Sequence, residues 1–297
     1  MQFFVKATRS VLLVFLHNIR STGLSVFYYI DLAQIKKDTT FRNLRLNINS
    51  YDYIMKLRNP KSRFDLNIGR SERVLEVGGG HNPNPRSNVV VDKFTDSNYH
   101  RSGNIKVLKN QTFMEADGEA LPFSDKEFDY VICCQVLEHV ENPVKFLSEQ
   151  FRVAKRGYIE TPSLLGEYLF PRESHKWILH EHRDTLYLVD KKKLGFHYGY
   201  DMGELIQDYL PTHSIGFKVV ERTHPNLINV RIEWENDFQY VIEPEDPEIR
   251  KYFSGKWLNS WGSEFFPPKT LWQEFKDASA AMMDISKSVF KSKLLRK

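Results

Sequence analysis

Between Glu72 and Phe94 the chain reads ERVLEVGGGHNPNPRSNVVVDKF, its densest run of residues fit for chemistry. Glu76 stands two residues before the triplet Gly78, Gly79 and Gly80, and Asp92 closes the apolar run that follows. Glycines bare the backbone N–H groups and let a ligand approach the main chain closely. Glu76 is placed to receive a cation or to anchor the turn, and a strand-end carboxylate such as Asp92 can accept two hydrogen bonds from a ribose diol. Asp117, in ADGEALPF, falls in the loop after a third strand, where it can accept from an exocyclic amine. FDYVICCQV ends a fourth strand at Gln135. The set asks for a ligand with an amino-acid head, a ribose and an adenine. It does not ask for a phosphate: a dinucleotide turn carries a third glycine as G-x-G-x-x-G, and here His81-Asn82-Pro83 follows.

Four histidines form the other reactive set. His139 lies in LEHV just past the fourth strand, and His175, His180 and His182 share ESHKWILHEHRD. An imidazole near pH 7 suits proton removal from an acceptor hydroxyl. The spacing of the three matches no known metal site and no cysteine accompanies them, so no metal is expected. Their segment follows a fifth strand, which puts it over the carboxyl edge of a sheet, where such folds bind ligands.

Positioning these groups requires that sheet. VLEVG, NVVVDKF, FDYVICCQV and RGYIETP read as near-continuous apolar strands, with NPVKFLSEQFRVA helical between two of them. Strands of that kind separated by helices predict a parallel sheet covered on both faces. GFKVVER and LINVRIEWE, joined by THPN, read as an antiparallel hairpin at its edge. Residues 163–200 lack periodicity and are taken as an acceptor-binding insertion. Residues 1–70 read as a helical segment, 71–243 as the main domain, and 244–297 as a helical extension carrying PPKTLWQEFKDASAAMMDISKSVF.

Composition narrows the partners. A net charge of +4 over 297 residues is too mild for a dedicated nucleic-acid binder, and no basic stripe interleaved with aromatics appears. The two cysteines, Cys133 and Cys134, are neighbours on a strand and cannot bond each other. A reducing, cytoplasmic setting follows. At the N-terminus the apolar run Val11–Leu16 is too short to span a bilayer. An amphipathic helix there packs on the domain body, or lies on a membrane with Phe3, Phe4, Val11, Leu12, Phe15 and Leu16 inserted and Lys6, Arg9 and Arg20 toward the headgroups.

The run from VLEVGGG through VVVDKF, ADGEALPF, FDYVICCQVLEHV and FRVAKRGYIETPS resembles the class I S-adenosylmethionine-dependent methyltransferases. The resemblance covers about Arg73–Ser163, and the GGGHNPNP turn is similar to those of methyltransferases in bacterial surface-polysaccharide pathways. It implies a Rossmann-like α/β fold with a seven-stranded, mostly parallel sheet, and S-adenosylmethionine as cofactor. By position, Glu76, Gly78, Gly79 and Gly80 would line the methionine part, Asp92 the ribose, Asp117 the adenine amine with Gly118 near the ring, and Gln135 the sulfonium region. The acceptor expected is a small polar molecule, a sugar or saccharide methylated on oxygen. The alternatives are an isoprenoid or lipid-linked acceptor, or a non-catalytic cofactor-binding partner, which would have no need of both Asp92 and Asp117. The Asn/Asp-Pro-Pro-aromatic tetrapeptide of amino-directed enzymes is absent, with CCQV in its place.

Overall fold

The computed structural model describes residues 2–8, 11–17, 26–31, 55–98, 103–195, 199–224, 226–253 and 259–294. The chain divides into two units, Met1–Tyr51 and Asp52–Lys297.

In the first unit the expected helix gives way to strands. β1 (Gln2–Thr8), β2 (Val11–His17) and β3 (Val26–Asp31) form an antiparallel sheet with β2 in the middle. Their sequences, QFFVKAT, VLLVFLH and VFYYID, are rich in Phe, Val and Tyr, which favour the pleated, half-buried surface of a strand. The side chains of this unit, including those expected to meet a membrane, lie outside the described residues.

In the second unit the strands are β4 (Met55–Arg58), β5 (Val74–Val77), β6 (Val89–Asp92), β7 (Thr112–Glu115), β8 (Phe128–Cys134), β9 (Ala154–Pro162), β10 (Trp177–His182), β11 (Thr185–Asp190), β12 (Asn229–Glu235) and β13 (Gln239–Ile242). Seven make one sheet in the order β4-β12-β9-β8-β5-β6-β7. β12 alone runs against its neighbours, so the sheet is otherwise parallel. The apolar strands sit where their composition demands: Val74, Leu75, Val77, Val131 and Ile132 are fully or nearly fully buried. Between β8 and β9 runs helix α1 (Pro143–Val153), started by Asn142, whose side chain accepts from Lys145 N. Phe146, Leu147 and Val153 of this helix fill the core against Leu75, Val131 and Ile159.

The edge pair differs from the expected hairpin. GFKVVER is helical within Ile215–Thr223, because Ser214 caps it by accepting from Phe217 N at 3.1 Å. The outer partner of β12 is instead β4, secured by Arg58 Nε donating to the buried Glu233 at 2.6 Å.

Residues 163–200 are also more regular than their sequence suggests. Ser163 caps helix α2 (Leu164–Leu169), and β10 and β11 then form a hairpin. Its two-residue turn, Arg183-Asp184, has φ of 50° and 61°, the signature of a type I′ turn. β13 joins β11 in parallel. One face of this small sheet gives Leu179, Leu186 and Leu188 to the main core, and the other gives Ile178 and Val189 to a core with Ile249, Tyr252 and Trp261. The last two groups come from helices Pro247–Phe253 and Asn259–Phe265, and Leu271–Leu294 follows as a long helix. Among the described residues no helix is long and apolar enough to cross a membrane.

Candidate functional site

The carboxyl ends of β5, β6 and β8 lie side by side, since Val77 pairs with both Val91 and Cys133. Gly78, Asp92 and Gln135 therefore leave the sheet at one edge. Gly78 and Gly80 adopt φ of 73° and 50°. A Cβ on Gly78 would stand 2.2 Å from Val136 Cγ2, and one on Gly79 would stand 2.4 Å from Val90 Cγ1. Only glycine meets both demands at Gly78. No helix follows before β6, where Pro83 and Pro85 interrupt the segment.

Of the two roles open to Glu76, the structure shows the anchor. Its carboxyl is 1 % exposed and accepts from Asn84 N and Ser87 Oγ, both at 2.7 Å, with the Arg63 guanidinium at 3.3 Å. Burial raises its pKa above the ordinary carboxyl range, and Ser87, Arg63 and Asn84 offset only part of that. The loop after the glycines is thus pinned from beneath.

Asp92 receives Phe94 N at 3.0 Å on Oδ1. Asp117 receives Glu119 N at 2.9 Å and lies 2.7 Å from Lys93 Nζ. Burial acts to raise the Asp117 pKa, but Lys93 and the Glu119 N–H outweigh it and hold the carboxyl below its usual value. Gly118 allows close packing, for a Cβ there would be 2.5 Å from Phe146 Cε2. Gln135 is exposed with φ of 57°, and its amide donates to Glu160 at 3.3 Å and Asn229 at 3.2 Å. Glu160 was not singled out from the sequence. It gathers Tyr158 OH at 2.5 Å and Arg231 Nε at 2.8 Å. These partners overcome the effect of its burial and lower its pKa.

The four histidines separate into two groups. His139 Nδ1 lies 3.0 Å from the Ser174 carbonyl, His175 Nδ1 lies 2.5 Å from Glu167 Oε2, and the two rings meet edge to face at 4.7 Å. Glu138, fully buried, stands beside them; Thr161 Oγ1 donates to its Oε2 at 3.0 Å, while its Oε1 has no hydrogen-bond partner. Burial pushes this carboxyl up to about 7 against the pull of His175. Lys176 N and Trp177 N both donate to the Glu138 carbonyl, which clasps the β8 end to the start of β10. Glu138 and Glu167 are further residues that sequence reasoning passed over.

His180 and His182 do not join them. They share the β10 face that bears Ile178, as the two-residue period of a strand dictates. His180 packs among Tyr252, Phe253 and Phe265 at 5.5, 6.1 and 4.5 Å, with Nε2 unpartnered. Burial, with the neighbouring His182, pushes its pKa down to about 3. His182 Nε2 lies 3.5 Å from Glu264. These two histidines border a cavity of about 240 Å³ together with Lys56, Ser163, Glu181 and Glu264. The three histidines of this segment therefore divide: His175 reaches His139 beside the β8 end, whereas His180 and His182 face the C-terminal helices.

Residues 90–159, from β6 to β9, match the family model described as a methyltransferase domain. An uncharacterized protein of Methanocaldococcus jannaschii is 38 % identical over 94 residues, covering 27 % of this chain and 44 % of that protein. The ubiquinone/menaquinone biosynthesis C-methyltransferase UbiE of Pasteurella multocida is 30 % identical over 103 residues, 30 % of this chain and 38 % of that one. The malonyl-[acyl-carrier protein] O-methyltransferase of a Marinomonas species is 26 % identical over 121 residues, 38 % and 45 % of the two chains. Each match spans less than half of the relative's length.

Proposed function

We propose that this chain, which carries a class I S-adenosylmethionine-dependent methyltransferase domain, transfers a methyl group from S-adenosylmethionine to a small polar acceptor. The observation that carries the reading is the convergence of the glycine turn, Asp92 and Gln135 at one edge of the sheet, with Asp92 and Gln135 inside the segment that matches the family and the glycine turn just before it. Gly78, Gly79 and Gly80 would receive the methionine part, with Glu76 holding their loop in place from below. Asp92 would accept from the ribose hydroxyls. Asp117 would accept from the adenine amine, sharing its carboxylate with Lys93, with Gly118 beside it packed closely on Phe146. Gln135 would lie on the sulfonium side.

Transfer from a sulfonium is an in-line displacement: the acceptor–methyl bond forms as the sulfur–methyl bond breaks, and the acceptor proton leaves to a base. His139 and His175, next to the β8 end, are the candidates for handling that proton. We read the acceptor as a sugar or saccharide hydroxyl. A second reading, methylation of an isoprenoid acceptor, is favoured by the stretch shared with UbiE. Incubation with S-adenosylmethionine and panels of saccharides and prenylated phenols, followed by mass spectrometry, separates the two. A 14 Da gain on a saccharide supports the first and a gain only on the prenylated panel supports the second. Cofactor binding with no transfer to either would leave a cofactor-binding partner domain.

A further inference from the structure

We propose that Glu138, His139 and His175 form a binding site for a divalent transition-metal cation of the zinc or cobalt type. Each contributes a donor atom, and the three atoms lie within 4.8 Å of one another. Two imidazoles and one carboxylate suit such an ion, whereas magnesium and calcium prefer oxygen. Metal bonds of about 2.1 Å place neighbouring ligands roughly 3.4 Å apart, so a contraction of order 1 Å closes the set.

Three independent features separate this cluster from histidines that merely pack. Both Nδ1 atoms face acceptors, the Ser174 carbonyl and the Glu167 carboxylate, so both carry the hydrogen and leave Nε2 as the lone-pair atom. A carboxylate or carbonyl behind a histidine is the usual support of a metal-bound imidazole. Glu167 is itself buried and fixed by Lys191.

The second feature is Glu138 Oε1, buried without a hydrogen-bond partner. An orphaned oxygen of this kind carries the cost of lost solvation unless something fills its place. The third is spacing: His139 Nε2 is 4.0 Å from Glu138 Oε1, too far for a hydrogen bond and suited to an atom between them. The His139 side chain is 14 % exposed, which leaves an approach from solvent. A cation held there would take both Nε2 lone pairs, so the metal, in place of the two imidazoles, would ease the loss of a proton from a bound acceptor oxygen. That last role rests on the methyl-transfer reading, but the site itself does not, because metal binding is measured without any transfer.

The test uses the untagged full chain, stripped with chelator, dialysed, and titrated with Zn²⁺ by calorimetry and with Co²⁺ by visible absorption. One equivalent should bind, with the strong cobalt bands of a four- or five-coordinate site. His175→Ala and Glu138→Gln should each weaken binding roughly 10²-fold or more, and Glu167→Gln about 10–100-fold. His182→Ala should leave the affinity unchanged. If circular dichroism shows that Glu138→Gln does not fold, the half-buried His139→Ala carries the same expectation. Absence of binding in the wild type, unchanged affinity in His139→Ala and His175→Ala, or an equal loss in His182→Ala overturns the proposal.

Discussion

His175 and His180 are five residues apart, yet they live in opposite environments. His175 hands its Nδ1 hydrogen to a buried carboxylate and faces a second histidine and an unpartnered carboxylate oxygen. His180 sits inside three aromatic rings with Nε2 bonded to nothing. The first arrangement fixes the ring's orientation and its Nδ1 hydrogen; the second strips the ring of charge and uses it as an aromatic wedge. What decides between them is the partner of the second nitrogen and the polarity around the ring, not residue type or proximity in sequence.

The largest effect expected from this contrast is on turnover. His139→Ala or His175→Ala should lower it about 10²–10⁴-fold with affinity for S-adenosylhomocysteine nearly unchanged, whereas His182→Ala should stay within about threefold. An equal fall in His182→Ala would erase the distinction between the clusters.

A smaller effect is expected on stability against pH. His180 titrates at about 3 in the folded chain and near 6.5 when exposed, so below pH 6.5 the unfolded chain binds the extra proton. Its contribution is therefore complete above pH 6.5 and lost as the pH falls toward 3, at up to about 1.4 kcal/mol per unit. His182, Tyr252 and Glu264 face the same space and are left in place by His180→Leu. Urea midpoints at pH 7, 6 and 5 should converge in that variant. A fall with pH as steep as in the wild type would place the excluded proton elsewhere.

The smallest effect concerns the rim of the aromatic cluster. His182 is itself buried, but its partner Glu264, 3.5 Å away, is partly solvated, so Glu264→Gln should change the unfolding free energy at pH 7 by no more than about 0.5 kcal/mol. A loss of several kcal/mol in chemical denaturation would mean that this pair holds the core together.

The same contrast explains which parts were legible in the sequence. The buried strands β5, β6, β8 and β9 announce themselves as near-continuous apolar runs, and Asp92 closes one of them at its end. The β10–β11 hairpin does not, because its turn uses Arg183-Asp184 without the glycine that marks such turns, and alternating histidines read as loop. GFKVVER has the composition of a strand, and the Ser214 cap with packing on Leu271–Leu294 overrides it. The N-terminal strands are not legible as strands because short apolar runs suit helix and strand alike. Glu138 and Glu167 escaped notice since their meaning lies in three-dimensional partners: one reaches His139 and His175, the other lies eight residues before His175 across a turn.

Whether the glycine turn and Asp92 hold S-adenosylmethionine is read most directly by titrating S-adenosylhomocysteine into the wild type and Asp92→Ala by calorimetry. The product keeps every group that the turn and the two aspartates would contact. The wild type should give a one-site isotherm, and Asp92→Ala should bind about 1–3 kcal/mol more weakly, the range for losing a hydrogen-bonded charged partner. No heat of binding in the wild type would contradict the cofactor assignment, and full affinity in Asp92→Ala would remove that residue from the ribose site.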